Sequence, residues 1–371
     1  MKHTNIPIFI PHLGCPFTCL FCNQRRISTA QEVKPGDIAV IIKNHLSTID
    51  LTETQVELAF FGGNFTAIAQ KLQESYLQAA HPYLQKSLIS SIRISTRPDC
   101  INVSNLRFLK KWGVRTIELG VQSFNDEVLK ASARGYLSAD VFKACHLIRE
   151  QGFRIGLQLM IGLPGDTYQR DMESTSLAVN LRPDMVRIYP TLVITATELE
   201  NMYLQGLYIP LSLEAAVKTT AAMFKRFQAC NISVIRMGLQ PAEELRSTGT
   251  VIAGPFHPAF GELVEQEVFK EQATEAIKAF LKLHRSGQSF NLWVNPRDIS
   301  KLVGYKRQNL YALQEVFQCD ELNIYQAESL PRDAVGVGIA QSTSLQWVLT
   351  RSEFLNDEWD KGTGTLSHSR D

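Results

Sequence analysis

The chain has 371 residues, of which 44% are hydrophobic and 20% are charged, and its formal net charge at pH 7 is +1. This length and composition are typical of a globular protein with a large core, and the near-neutral charge excludes a polybasic surface over the whole molecule. Prolines interrupt the N-terminal apolar run and no apolar run reaches about 20 residues, so neither a secretory signal nor a membrane-spanning helix is expected.

Apolar runs and amphipathic segments alternate through the first 240 residues. Strands are predicted over 6–10, 56–61, 89–95, 116–121, 155–161, 185–189 and 232–237, and helices over 35–46, 67–84, 103–112, 126–133, 138–151, 168–180 and 212–230. This alternation indicates a parallel sheet wrapped by helices. Six strand–helix units are too few for an eight-fold barrel. The predicted fold class is therefore α/β, with a partial (β/α)6 TIM-like barrel.

The pattern changes after residue 240. A long helix is predicted over 260–284, and a second helix over 307–317 lies between strands at 290–294 and 321–325. These elements predict a small C-terminal α/β domain at 241–361, which follows a core domain at 1–240. The tail at 362–371 is rich in Gly, Ser and Thr and is expected to be disordered.

Three cysteines, Cys15, Cys19 and Cys22, lie on the loop that follows the first predicted strand. Their odd number and short spacing make disulfides between them unfavourable. A [4Fe–4S] cluster normally takes four thiolates, so three on one loop would leave an iron open to a substrate or cofactor. Two alternatives are a zinc site that uses His12 and three oxidation-prone free thiols. The other four cysteines are scattered singly, which argues against a disulfide framework and favours a reducing cytoplasm.

Distinctive residues also follow the other predicted strands. Gly62 and Gly63 follow the second strand, Arg97 the third, Gln122 the fourth and Gly162 the fifth. Ligands of parallel α/β sheets bind at the carboxyl ends of the strands, so the sequence predicts one shared site there. The glycine pair would let the backbone approach a ligand closely, although a plain turn explains it as well.

The spacing Cys-x3-Cys-x-aromatic-Cys resembles the signature of radical S-adenosylmethionine (SAM) enzymes. The segments Ser-Thr-Arg-Pro-Asp at 95–99, Glu-Leu-Gly-Val-Gln-Ser at 118–123 and Gly-Leu-Pro-Gly at 162–165 resemble the Elp3-like branch of that superfamily. The oxygen-independent coproporphyrinogen III oxidases are a close second. The resemblance covers about residues 5–240, and no acetyltransferase domain is recognised after it.

The resemblance implies a [4Fe–4S] cluster on Cys15, Cys19 and Cys22, with SAM on the open iron. SAM would be cleaved reductively to a 5′-deoxyadenosyl radical, which would abstract hydrogen from the substrate. The cofactor contacts that the resemblance implies are Phe21 near the adenine, and Gly62, Gly63, Asn64, Ser95, Gln122, Arg134, Gln158 and Gly162. Arg134 would pair with the SAM carboxylate. Asn64 and Ser95 stand where glutamate is common, and Gln158 where an aspartate contacts the ribose in the oxidases.

The Elp3-like resemblance implies a tRNA nucleoside as substrate and a flavodoxin or ferredoxin as electron donor. One alternative is a tetrapyrrole reaction like that of the coproporphyrinogen oxidases. Another is a non-catalytic iron–sulfur or zinc protein, which predicts a closed site with four protein ligands. Lys301, Lys306 and Arg307 form a basic cluster that could meet RNA phosphates or could be a solvated helix end.

Overall fold

The computed structural model of the protein describes residues 2–10, 13–15, 19–23, 33–240, 245, 247, 249–284, 290–319, 321–340 and 345–362. The chain divides into two compact units, one of residues 1–216 with 232–258 and the other of residues 217–231 with 259–371. Residues 217–231 belong to the second unit, although they lie within the predicted core domain at 1–240. The domain boundary at residue 240 stays a prediction. No helix in the described part of the chain has the length and apolar character that crossing a membrane requires.

The first unit alternates strands and helices. Its strands are β1 (Lys2–Ile10), β2 (Thr54–Gly62), β3 (Ser91–Thr96), β4 (Val114–Gln122), β5 (Arg154–Ile161), β6 (Met185–Pro190), β7 (Val193–Ile194), β8 (Ser233–Met237) and β9 (Val251–Ala253). Its helices are α1 (Ile38–Leu46), α2 (Gln70–Gln85), α3 (Val103–Lys111), α4 (Asp126–Ala131), α5 (Ser138–Glu150), α6 (Tyr168–Asn180) and α7 (Glu198–Leu204). Helix α8 (Leu213–Ala229) begins in the first unit and continues into the second.

Seven parallel strands form the main sheet, in the order β1-β2-β3-β4-β5-β6-β8. Because the strands follow chain order and each is connected through helical segments, all their carboxyl ends lie at one edge. Strands β1 and β8 lie at opposite ends of the sheet, so the curled sheet is a partial barrel. The predicted fold class is confirmed, and the further strand predicted at 232–237 is the seventh strand of the sheet. The short strands β7 and β9 pair separately and antiparallel.

Strand β2 shows how the sequence divides the two faces of this sheet. Successive side chains of a strand point to opposite faces, and Phe60 packs against Phe65 and Tyr76, with ring centroids 5.0 and 5.9 Å apart. Because Tyr76 belongs to α2, Phe60 faces the helical layer. The alternate residues Glu57 and Phe61 therefore face the barrel interior, which places polar groups inside the curled sheet.

The second unit contains a four-stranded sheet. Its elements are α9 (Phe260–His284), β10 (Phe290–Val294), α10 (Ile299–Val303), α11 (Gln308–Phe317), β11 (Asn323–Gln326), β12 (Val335–Ile339), β13 (Trp347–Leu349) and α12 (Arg351–Gly362). Strand β10 pairs parallel with β11 and antiparallel with β12. The predicted small α/β domain is confirmed as a fold.

Two strands of this sheet and its last helix were not predicted. Strand β12 reads Val-Gly-Val-Gly-Ile, and glycine weakens the strand signal of its neighbours. Its Gly336 has a packing role, because a Cβ at this position would lie 2.3 Å from a Leu345 methyl carbon and 3.1 Å from the Trp293 Cβ. The predicted disordered tail lies outside the described residues, except for Gly362, at which α12 ends.

Candidate functional site

Most of the predicted site residues line one cavity of about 130 Å³ at the carboxyl ends of β1 to β5. The predicted residues that line it are Cys15, Cys19, Phe21, Cys22, Gly62, Gly63, Asn64, Ser95, Gln122, Arg134 and Gln158. These residues come from segments up to 143 positions apart in sequence, from Cys15 to Gln158. The exception is Gly162, which does not line the cavity.

The three cysteine thiols lie around this cavity, with Cys19 buried and the other two partly buried. Burial raises the pKa of the Cys15 thiol, which therefore keeps its proton until a metal displaces it. Three thiols beside one cavity suit an iron–sulfur cluster chemically. No three His, Cys, Asp or Glu side chains of the described residues are already grouped tightly enough to hold a metal, so the thiols would have to close around it. His12, the alternative zinc ligand, lies outside the described residues.

The end of β2 packs directly on the loop that carries Cys15. The Asn64 N–H donates to the Leu13 carbonyl at 2.8 Å, and the Asn64 Nδ2 donates to the Gly14 carbonyl at 3.1 Å. A Cβ at Gly63 would lie 2.4 Å from the Leu13 oxygen. The missing side chain of Gly63 therefore makes room for the cysteine loop itself, in addition to any ligand.

The Asn64 side chain is occupied by the protein. Its oxygen accepts from the Thr96 hydroxyl and from the Arg97 N–H, and its Nδ2 also contacts the Cys100 sulfur at 3.0 Å. Asn64 thus joins the ends of β2 and β3 to the cysteine loop through both its side chain and its backbone N–H.

Two arginines enclose a tyrosine behind the cavity. The guanidinium carbons of Arg134 and Arg97 lie 5.0 and 5.1 Å from the centroid of the Tyr136 ring. The Tyr136 hydroxyl accepts from Arg134 and donates to the Gly120 carbonyl at 2.6 Å. Arg134 Nη1 donates to the Cys19 sulfur at 2.9 Å. This hydrogen bond places a permanent positive charge next to the sulfur of a predicted cluster ligand.

Sequence reasoning missed Tyr136, although it lies two residues after Arg134. Burial raises the pKa of its hydroxyl, so at neutral pH it is a neutral hydrogen-bonding group. The signal that could have identified it is an aromatic side chain close to a predicted ligand-binding arginine, on the loop between α4 and α5.

Gln122 and Gln158 meet inside the cavity. Gln158 Nε2 donates to Gln122 Oε1 at 3.3 Å. Gln122 ends β4 with a backbone φ of 67°, where the pairing of β4 with β5 shifts by one residue. Gly162 instead lies outside this pair, and its carbonyl accepts from the Tyr208 hydroxyl at 2.6 Å.

A larger cavity, of about 780 Å³, adjoins the first one and is called the chamber below. Residues that line both cavities are Phe21, Cys22, Gly62, Ser95, Glu118 and Gln158. The chamber volume is in the range of small-molecule sites, which is about 300–1,000 Å³. A reactive group formed in the smaller cavity would therefore face a substrate held in the chamber.

Buried ion pairs cross the barrel interior beside the chamber. Arg93 of β3 donates to Glu57 of β2 at 2.7 Å and to Glu118 of β4 at 2.5 Å. Arg187 of β6 makes two bonds to Glu118, at 2.9 and 3.1 Å. Gly156 of β5 leaves room for this, because a Cβ there would lie 2.8 Å from the Glu118 Cγ. The sequence signal for these ion pairs was that several buried strands each contain a charged residue.

One residue of the predicted basic cluster in the second unit, Lys301, is not a free cation. Lys301 pairs with Glu265, Asp298 and Asp333, and Arg332 also pairs with Asp298, at 2.6 Å. Lys301 therefore belongs to a local ion-pair network. The prediction that it meets RNA phosphates has no support from this arrangement.

Two protein-family models match the chain. The radical SAM superfamily model matches residues 9–178, and the radical SAM C-terminal domain model matches residues 183–270. A tRNA uridine(34) acetyltransferase of Methanocaldococcus infernus is 32% identical over 184 residues, which are 44% of this chain and 34% of that protein. The heme chaperone HemW of Bacillus subtilis is 26% identical over 201 residues, which are 53% of each chain.

A solved structure shares the fold. The archaeal Methanocaldococcus infernus Elp3 with an N-terminal deletion superposes with a TM-score of 0.56 and 22% identity, over 73% of this chain and 63% of that chain. This likeness shows the fold. The chain spans about a third to a half of the length of the two curated relatives named above.

Proposed function

Because this chain belongs to the radical SAM superfamily, we propose that it is an enzyme that uses a [4Fe–4S] cluster and SAM to modify a tRNA nucleoside. The predicted resemblance to the superfamily, with Elp3-like relatives, is confirmed. When bound, the two cofactors would supply a 5′-deoxyadenosyl radical, which removes a hydrogen atom from the substrate. The protein's own residues bind the cofactors, orient the substrate and exclude water.

The residues around the smaller cavity would hold the cofactors. Cys15, Cys19 and Cys22 would bind the cluster, and the Gly62–Asn64 backbone would receive the amino group of SAM. Arg134 now donates to the Cys19 sulfur. If the Cys19 side chain rotates to bind iron, this hydrogen bond breaks, and a guanidinium N–H of Arg134 would become available to the SAM carboxylate. Gln122 and Gln158 would contact the adenosine, because their amides already line the cavity.

The observation that carries this proposal is the shared wall between the cavity with the three cysteines and the chamber. Radical chemistry requires the reactive carbon to lie next to the substrate while water stays out. The chamber supplies a separate space for a substrate beside the proposed cofactors. A structural metal site would need no such neighbouring space.

The test is an anaerobic assay for 5′-deoxyadenosine, after reconstitution with iron and sulfide and addition of dithionite and SAM. We expect the wild-type protein to form it and Cys19→Ala to form none, because the cluster loses a ligand. Cys230→Ala is the matched control, since this cysteine lies outside both cavities. Normal iron content in Cys19→Ala would contradict the ligand assignment, and an intact wild-type cluster unaffected by SAM in its paramagnetic resonance would contradict the proposed function.

A tetrapyrrole substrate is the second candidate, and the similarity to a heme chaperone favours it. Binding of tRNA would weaken steeply with salt, because phosphate contacts release counterions. Binding of a porphyrin would depend on salt much less. The proposed electron donor is a flavodoxin or ferredoxin, and the proposed compartment is the reducing cytoplasm, in which unpaired cysteines stay reduced.

A further inference from the structure

Among the residues that the structure describes, the barrel interior beside the chamber holds one guanidinium more than its carboxylates balance. Glu57 and Glu118 are paired with Arg93 and Arg187. Arg236 of β8 also lines the chamber, and within the described residues no carboxylate pairs with it. His3 lies 3.6 Å from Glu57 and adds a positive charge only when protonated. The described part of the chamber therefore has a surplus cation.

Arg236 lies directly beside Arg187 on the neighbouring strand. The two residues are register partners of the parallel pair β6 and β8, so their side chains point to the same face. Neighbouring strands are about 4.8 Å apart, and like charges at that position repel each other. An anion between the two guanidinium groups would remove this repulsion.

Arg187 keeps hydrogen-bond donors for such an anion. A guanidinium has five N–H groups. Arg187 gives two of them to Glu118, and a third reaches the Tyr189 hydroxyl at 3.4 Å. The remaining N–H groups, with those of Arg236, suit a phosphate or carboxylate, because the guanidinium fork matches two oxygens at once.

The chamber also has an apolar lining that includes aromatic side chains. It is formed in part by Phe9, Phe21, Phe61 and Tyr189, and the Arg187 guanidinium lies 5.1 Å from the centroid of the Phe61 ring. A flat ring could pack on these faces while an attached oxyanion meets the arginines. The chamber thus combines aromatic side chains, on which a planar group can pack, with two arginines.

We propose that Arg187 and Arg236 form an oxyanion subsite, which holds a phosphate or carboxylate attached to a planar part of the substrate. The inference rests on the proposed function in that it takes the chamber to be the substrate site. A nucleotide phosphate is the source that the tRNA proposal requires. A tetrapyrrole carboxylate is the other source of the same chemistry, and binding experiments separate the two.

The experiment is anaerobic titration of the reconstituted protein, with SAM present and no reductant, so that the smaller cavity is filled and no turnover occurs. The probes are uridine 5′-monophosphate, uridine and coproporphyrin III, which carries four carboxylates. We expect uridine 5′-monophosphate to bind at least about tenfold more tightly than uridine, because charge-assisted hydrogen bonds of this kind are strong. Arg236→Gln should lose that advantage and leave uridine binding unchanged.

Two variants control the titration. Arg236→Lys keeps the charge and should retain part of the advantage, which guards against a fold defect in Arg236→Gln. Arg115→Gln removes one exposed arginine at the amino end of β4 and should bind every probe as the wild type does.

The outcomes separate the subsite from the proposed function. If Arg236→Gln weakens only coproporphyrin III, the oxyanion subsite stands with carboxylate as its ligand. If Arg236→Gln binds both anionic probes as the wild type does, or if neither probe shows anion-dependent affinity, the subsite is overturned. Loss of the phosphate advantage in a protein that never forms 5′-deoxyadenosine would support the subsite and count against the proposed function. Formation of 5′-deoxyadenosine by a protein that shows no phosphate advantage would count only against the subsite.

Discussion

Gln122 adopts a left-handed backbone conformation, with φ at 67°, although it carries a side chain. Such a conformation costs a non-glycine residue about 1 kcal/mol or more, and the surrounding structure must enforce it. Here the shift in register between β4 and β5 turns the Gln122 amide into the cavity, where Gln158 bonds to it. The strain therefore occurs at the candidate site and nowhere along the body of the strand.

A pair of carboxyl groups at the start of α6 makes stability depend on pH. Asp171 is buried next to the Asp166 carboxyl, so one of the two must hold a proton. Burial first, and then the nearby Asp166 carboxylate, raise the pKa of Asp171 above its ordinary value. A raised folded-state pKa contributes stability that is complete below the unfolded pKa and is lost as the pH rises.

We expect the free energy of unfolding of the wild type to fall between pH 5 and pH 9, with a slope of up to about 1.4 kcal/mol per pH unit from this proton. Asp171→Asn should flatten the slope, because the amide needs no proton to bond to Asp166. Urea unfolding midpoints at pH 5, 7 and 9 measure it. Asp50→Asn is the control, since the pKa of that exposed carboxyl is lowered and acts only in acid. Equal slopes in wild type and Asp171→Asn would refute the assignment.

At the level of elements, the loop after β1 depends on the loop after β2. Gly14 and Gly63 let the two backbones pack together, since a Cβ at Gly14 would lie 2.3 Å from the Asn64 oxygen. The obstacle at both positions is backbone, which cannot move aside as a flexible side chain can. The cysteine loop is therefore placed by β2, not by its own residues alone.

Gly63→Ala should displace the cysteine loop, because its Cβ would lie 2.4 Å from the Leu13 oxygen. We expect a loss of about 1–3 kcal/mol in the free energy of unfolding, as in other overpacked sites, and reduced iron content after reconstitution. Gly36→Ala is the matched control, since nothing lies within 4 Å of the added carbon. Iron content and melting temperature measure both effects. Full iron content in Gly63→Ala would show that the loop does not need this contact.

At the scale of the whole molecule, helix α8 is divided between the two units, and this division determines where the chain can be cut. Residues 217–231 belong to the second unit, in which Lys225 lies 5.6 Å from the centroid of the Phe354 ring. The same stretch buries Met223 and Phe227. A chain cut at the predicted boundary, residue 240, would separate this stretch from the rest of its unit.

A fragment of residues 1–240 should therefore aggregate or bind a hydrophobic dye more strongly than the full chain, because Met223 and Phe227 lose their cover. The variant fragment Met223→Gln/Phe227→Gln should reduce both effects, since it removes the exposed apolar surface. Gel filtration and dye fluorescence measure the difference. A monomeric 1–240 fragment with no added dye binding would support the predicted boundary instead.

Much of the fold followed from local patterns. The predicted helix at 168–180 and strand at 290–294 have the bounds of α6 and β10, because hydrophobic period and capping residues act over a few neighbouring positions. Local sequence patterns also predicted that the three cysteines lie on one loop and that Gln122 and Gly63 lie at the ends of strands. Strand β12 did not, because alternating glycines hide a strand whose partners lie elsewhere in the chain.

The residue spacing alone was sufficient to place the cysteines and the strand ends at one edge, because parallel strands bring their carboxyl ends together whatever the details of packing. The ion-pair partner of each buried charged residue could not be predicted from spacing. Arg93 and Arg187 reach Glu118 across 25 and 69 positions, and Arg236 is left over only because of the register of β8 on β6. Pairing of this kind depends on which side chains share a face after folding, so the surplus cation in the chamber is a property of the tertiary structure.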